Sequence, residues 1–111
     1  MAKINVLGTE YIVKLDDLNN PSLEDKDGYC QIYDKQIVLR KPELMCQDGS
    51  DNANQVRFRE TTIHELVHAF ARESSSFFDS DENLVEWIAE MLPKIVNCYN
   101  DIQRQFKEEY K

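Results

Sequence analysis

His64 and His68 are the only histidines in this 111-residue chain, and they stand four apart in the run His64-Glu65-Leu66-Val67-His68. On a helix that spacing sets two imidazoles side by side, so both can direct a nitrogen at one ion. Two neutral imidazoles leave room on a tetrahedral zinc for a further protein ligand and for a water. The ion lowers the pKa of that water toward about 7. Glu65, between the histidines, is placed to take its proton. The chemistry these residues suit is metal-assisted hydrolysis.

A catalytic zinc site usually takes three protein ligands. There is no third histidine, and Cys30, Cys46 and Cys98 lack metal-ligand spacing, so the third ligand has to be a carboxylate. The stretch from Asp81 to Glu90 offers Glu82, Glu86 and Glu90. At about 100° per residue, with Glu82 at 0°, Glu86 falls near 40° and Glu90 near 80°, away from an apolar face centred at about 230°. Ala89, at about 340° on the same wheel, leaves room beside Glu82 for a close helix approach. The same acids suit plainer roles. Glu82 complements the helix dipole or closes a capping box with Asp79, and Glu86 and Glu90 belong to a solvated face. Spacing alone leaves the choice open.

The two blocks taken together, Thr62-Ile63-His64-Glu65-Leu66-Val67-His68-Ala69-Phe70 and Glu82-Asn83-Leu84-Val85-Glu86-Trp87-Ile88-Ala89-Glu90-Met91-Leu92-Pro93, resemble the glutamate-type zincins. They look closest to the short ImmA/IrrE-like metallopeptidases of bacteria and phages. Those carry HExxH on one helix and a pattern near ExxAxxFA on the next, often trailing into LL-x-P. In that register Glu82 matches the zinc-ligand glutamate, Val85 the alanine, Ile88 the phenylalanine and Ala89 the final alanine. Thermolysin-like relatives place a further acid one turn after the ligand, bonded to the first metal histidine. Glu86 occupies that position, where it would fix the tautomer of His64. The resemblance covers residues 60–93 in detail and the preceding hairpin in outline.

It implies a minimal zincin-like domain that binds zinc through His64, His68 and Glu82, with Glu65 as general base. The implied substrate is a specific intracellular protein, such as a phage or mobile-element regulator. It would lie extended along an edge strand, for which Gln36–Arg40 is the expected one. The chain departs from the pattern in three ways. No histidine remains to stabilise an oxyanion, which leaves Tyr29, Tyr33, Tyr99 and Arg40 as equal candidates. The gap from His68 to Glu82 is short, and the helix-turn-helix that many relatives append is missing.

The elements that must position these residues follow from the hydrophobic pattern. Residues 3–6 and 11–15 read as strands, with Gly8 available for a bend or bulge between them. Asn19-Asn20-Pro21-Ser22 is a turn cluster. Residues 29–33 and 36–40 read as a hairpin through Asp34-Lys35. After Lys41-Pro42 and Gln47-Asp48-Gly49-Ser50 the period changes, and 51–72 suits a helix with Ile63, Leu66, Val67 and Phe70 as its core-facing stripe. Ser74-Ser75-Ser76 ends it. A second helix starts near residues 79–81 with Ser80 as N-cap, and Leu84, Trp87, Ile88, Met91, Leu92 and Ile95 share one face. Pro93 should kink or restart it, which makes the tail from Lys94, with Ile95, Val96, Tyr99, Ile102 and Phe106, a third amphipathic helix. Strands precede helices, so the expected fold is α+β: a small antiparallel sheet followed by two to three helices, in one domain spanning 1–111.

Composition narrows the partners. A formal charge of −8 repels phosphate backbones and anionic lipid, so neither nucleic acid nor membrane is the expected partner. Three cysteines without a disulfide framework suit reduced thiols. With no apolar h-region at the N-terminus and no run long enough to span a bilayer, the expected compartment is the cytoplasm. Two other functions fit the same features. One is an inactive zincin-fold protein whose acidic surface binds a basic partner. The other is amide hydrolysis on a small molecule.

Overall fold

The computed structural model describes residues 1–16, 26–46, 50–75 and 81–109. The turn cluster at 19–22, Ser76, the expected cap Ser80 and its neighbour Asp79 lie outside the described residues, as do residues 47–49. A four-stranded sheet of β1 (Ala2–Val6), β2 (Thr9–Asp16), β3 (Gly28–Gln31) and β4 (Gln36–Arg40) precedes two helices, α1 (Asp51–Glu73) and α2 (Glu82–Glu109). The α+β order expected from the sequence is the one observed.

Strands β1 and β2 form a hairpin that pairs Val6 with Thr9. Its two turn residues, Leu7 and Gly8, both take positive φ (50° and 94°), the conformation whose twist suits a two-residue hairpin. The Asn5 side chain accepts from the Gly8 N–H at 2.7 Å. Strands β3 and β4 form the second hairpin, closed by Ile32 to Lys35, with Lys35 left-handed at φ 56°.

The sheet order is β1-β2-β4-β3. Its two hairpins are antiparallel, but they join through a parallel pairing of β2 with β4, from Ile12↔Gln36 to Asp16↔Arg40. The sheet is therefore mixed, and β4 is an interior strand instead of the edge. The sequence carried a sign of this: Ile37, Val38 and Leu39 are consecutive apolar residues, all buried. Strands covered on both faces read as such runs, whereas half-solvated edge strands alternate.

One face of the sheet receives α1. Val6, Tyr11, Ile37, Leu39 and Ala69 form the buried core, with Phe58 and Leu66 packed against it. Ser50 caps α1, accepting from the Ala53 N–H at 3.1 Å. At its other end Glu73 is tied to both hairpins, accepting from Thr9 Oγ1 at 2.6 Å, Tyr11 Oη at 2.9 Å and Lys35 Nζ at 2.8 Å. These bonds, that of Lys35 foremost, hold the Glu73 carboxyl down at about 2. Burial and the bond to Glu73 push the Tyr11 phenol up. The helix that bears the histidines is thus capped at its start and fixed to the sheet at its end.

The expected core stripe of α1 is displaced around the helix. Glu65 and Ala69 are buried on the sheet-facing side, whereas Phe70 is 42% exposed. Ile63, Val67 and Phe70 instead line an apolar groove shared with Ile88 and Leu92 of α2. A helix with two partners divides its faces, and small residues such as Ala69 allow the sheet to approach more closely than a larger side chain would. The third helix is also absent from the described residues. Pro93 lies inside one continuous α2, where it forfeits a single hydrogen bond, to the carbonyl of Ala89. That loss is tolerated in a segment whose neighbours are all good helix formers or amphipathic.

Among the described residues no helix is long and apolar enough to cross a membrane. None of the three cysteines is in a disulfide; Cys30 and Cys46 are half-buried and Cys98 is exposed.

Candidate metal centre

The two histidines lie on α1 between the face packed on the sheet and the face turned to α2. Facing them, α2 presents Val85 and Ala89, both fully buried, and Ala89 lets the helix axes come close, as the sequence suggested. This close approach brings Glu82 to the histidines. His64 Nε2 is 3.1 Å from Glu82 Oε2, and His68 Nε2 is 3.0 Å from Glu82 Oε1. The imidazole centroids are 5.0 Å apart, with planes inclined by 61°. One ligand atom from each of the three residues falls within 4.8 Å of the others, so the group could hold a metal ion. A tetrahedral ion with bonds of about 2.0–2.1 Å sets its ligands roughly 3.3 Å apart, close to the observed separations.

The arrangement of polar atoms fits a cation too. His64 Nδ1 lies 2.9 Å from Glu86 Oε2. A proton on Nδ1, donated to that carboxylate, leaves a lone pair on Nε2 facing another carboxylate, that of Glu82. Two acceptors face each other at 3.1 Å, an arrangement that a shared cation relieves. Glu86 stands where a partner that orients the ring and raises its basicity should stand. Glu90 is exposed and lies outside the ligand group.

Glu65 is only 7% exposed and lines the clefts on both sides of the histidines. Burial pushes its carboxyl above the usual range, and His64 and His68 act in the opposite sense. A raised carboxyl is a better proton acceptor than an exposed one.

A cleft of about 520 Å³ opens along β3, lined by Gly28, Tyr29, Cys30, Glu65, His68 and Glu82 among others. A second of about 500 Å³ continues on the far side of His64 toward Asp27, Arg57 and Glu60. Strand β3 approaches α1 closely because residue 28 is glycine: a Cβ there would meet Leu39 Cδ2 and the Val38 carbonyl at 3.0 Å, and Thr61 Cγ2 at 3.1 Å. Arg57 Nε donates to Asp27 at 2.5 Å, a second tie between α1 and the entrance of β3. At the end of the sheet order, β3 rather than β4 is the edge strand beside the site. The Arg40 N–H donates to the Asp27 carbonyl at 2.8 Å. By the alternation of an antiparallel ladder, the backbone groups of Gly28 and Cys30 then face away from β4, and among the described residues no further strand follows β3 in the sheet.

Of the four oxyanion candidates, the structure places Tyr29 alone in the cleft. Tyr33 is 82% exposed with Arg72 over its ring, Tyr99 lies far along α2, and Arg40 donates to the Lys26 carbonyl. Sequence reasoning missed Gly28, Asp27 and Arg57. The Asp27-Gly28 pair at the strand entrance was the available signal, since glycine in a strand marks close backbone approach.

No protein-family model matches this chain, and it has no significant match among curated proteins or solved structures. The reading of the site therefore rests on its geometry and on the motifs.

Proposed function

We propose that the protein is a zinc-dependent peptidase of the ImmA/IrrE-like type, acting in the cytoplasm on a specific regulatory protein. The observation that supports it most directly is the convergence of His64, His68 and Glu82 beside a buried Glu65 and an edge strand. When bound, zinc would polarise the scissile carbonyl and acidify a water. Glu65 takes the proton from that water and delivers it to the leaving amine. Glu86 holds the Nδ1 proton of His64 and so aims Nε2 at the centre. A substrate in extended form adds alongside β3 at Gly28, which fixes the carbonyl relative to Glu65.

The test is Glu65→Gln. The isosteric amide should keep zinc at wild-type stoichiometry and lose cleavage of co-expressed regulators from the same genome. Undiminished turnover would refute the assignment of the base. A zinc-loaded wild type that cuts no candidate would favour the inactive binding protein.

A further inference from the structure

We propose that the C-terminal half of α2 is an association surface for a second copy of this chain, paired antiparallel along a coiled-coil seam. The helix runs for 28 residues, about 42 Å at 1.5 Å per residue. Its apolar residues recur at alternating spacings of three and four, the heptad signature. Val85, Leu92, Tyr99 and Phe106 stand at one heptad position and Ile88, Ile95 and Ile102 at the other. Val85 is buried, but beyond the domain body the seam is open: Leu92 is 41% exposed, Ile95 54%, Tyr99 59%, Ile102 50% and Phe106 46%.

The residues flanking the seam indicate what covers it. They are Ala89, Val96 and Gln103 on one side and Met91, Cys98 and Gln105 on the other, none of them charged. Lys94, Asp101, Arg104 and Lys107 all fall on the outer positions of the helix. Flanking charges set partner choice in coiled coils. Between Leu92 and Phe106 a basic partner finds no acids along the seam, whereas a second copy meets no like charge there, despite a net −8. The area also suffices. Leu84, Val96 and the five seam residues, each about half exposed, leave roughly 600–700 Å² of apolar surface, at about 90 Å² apiece. A stable interface takes about 800 Å² per partner and begins near 600.

Orientation follows from where the body sits. A parallel pair would crowd two domain bodies at the end where Val85 is already buried. The antiparallel pair puts the bodies at opposite ends and stacks Ile88 on Phe106, Leu92 on Ile102 and Ile95 on Tyr99 of the second copy. Phe106 of that copy then reaches into the apolar groove of about 470 Å³ lined by Ile63, Val67, Phe70, Ile88 and Leu92 and occupies part of it.

Sedimentation of the full chain from about 1 to 200 µM tests this. The wild type should reach twice its 13.1 kDa mass. Ile95→Glu with Ile102→Glu, at exposed positions on the far side of α2 from Glu82 and Glu86, should return it to one copy with helicity and metal affinity unchanged. A short bismaleimide should link Cys98, one residue from the dyad, to its counterpart, and Cys98→Ser should abolish the link. A wild type monomeric throughout, including one whose seam captures a different protein, overturns the proposal, as does a variant that still dimerises. A dimer that never links through Cys98 overturns the antiparallel register.

Discussion

Replacing Glu82 and Glu86 separately by alanine distinguishes a ligand from a residue that orients one. Glu82 directs both oxygens at the Nε2 atoms of the two histidines, at 3.1 and 3.0 Å, whereas Glu86 touches only Nδ1 of His64, at 2.9 Å. Zinc binding worth about 10–16 kcal/mol, shared among some four ligands, assigns roughly 3–4 kcal/mol to each. Glu82→Ala should therefore weaken zinc by about 100- to 1,000-fold. Glu86→Ala leaves all three ligands in place and releases the ring of His64, for which about 10- to 100-fold is expected. Both acids are well exposed, at 66% and 54% of the side chain, so neither change should unfold the chain. Competition against a chromophoric chelator at neutral pH reads the affinities, with circular dichroism as the control for folding. The reasoning fails if Glu86→Ala loses zinc outright while Glu82→Ala retains it, because the ligand would then sit one turn further along α2.

Three other outcomes follow from the packing. Gly28→Ala should destabilise by about 1–3 kcal/mol in denaturant unfolding, because its Cβ would meet strand backbone at 3.0 Å and must move β3 or α1; a change below about 0.5 kcal/mol would show that the close approach is not required. Ala89→Leu, at a fully buried position, should push α2 off α1 and weaken zinc at least 10-fold through Glu82, with unaltered affinity refuting the link between helix spacing and site. Glu73 is held down at about 2, so its contribution is fully present above its ordinary value of about 4.5 and is lost as the pH falls through 2. Thermal melts of wild type and Glu73→Gln should differ most above about pH 5 and converge near pH 2, and a pH-independent gap would refute the linkage.

The grouping of His64, His68, Glu82 and Glu86 was legible in the sequence because it is built from short-range periodicities. The four-residue step from His64 to His68 and from Glu82 to Glu86 sets which side chains share a helix face, and Ala89 announced the close contact. The β3–β4 hairpin and the extent of α1 were legible for the same reason, since each is decided within a few residues. The parallel pairing of β2 with β4 was not. Hairpin signals act between neighbours in sequence, and nothing local states which strand of one hairpin meets which strand of the next. Misplacing β4 at the edge moved the expected substrate strand by one position, to Gln36–Arg40 instead of Gly28–Gln31. The face of α1 was misjudged because a wheel weighs large apolar residues as buried. Here Asn54, Glu65, Ala69 and Ala71 are the buried ones among the described residues of α1, and Ile63, Val67 and Phe70 turn to the groove.

The same division of faces gives a metal held at this cluster a consequence for the fold itself. Helix α1 is secured to the sheet by an ion pair at Asp27, beside β3, and three hydrogen bonds to Glu73. Helix α2 has much less: Val85 and Ala89 are its only fully buried side chains among the described residues, and its main contact is α1. The polar groups that bridge the two helices are His64 and His68 with Glu82 and Glu86. Three of these four crowd acceptor toward acceptor unless a proton or a cation lies between them. An ion that binds only when α2 is docked stabilises the docked state by mass action. The centre is in this sense the closure of the helix pair. The open apolar face of α2 lies on the opposite side, where the ion has no influence.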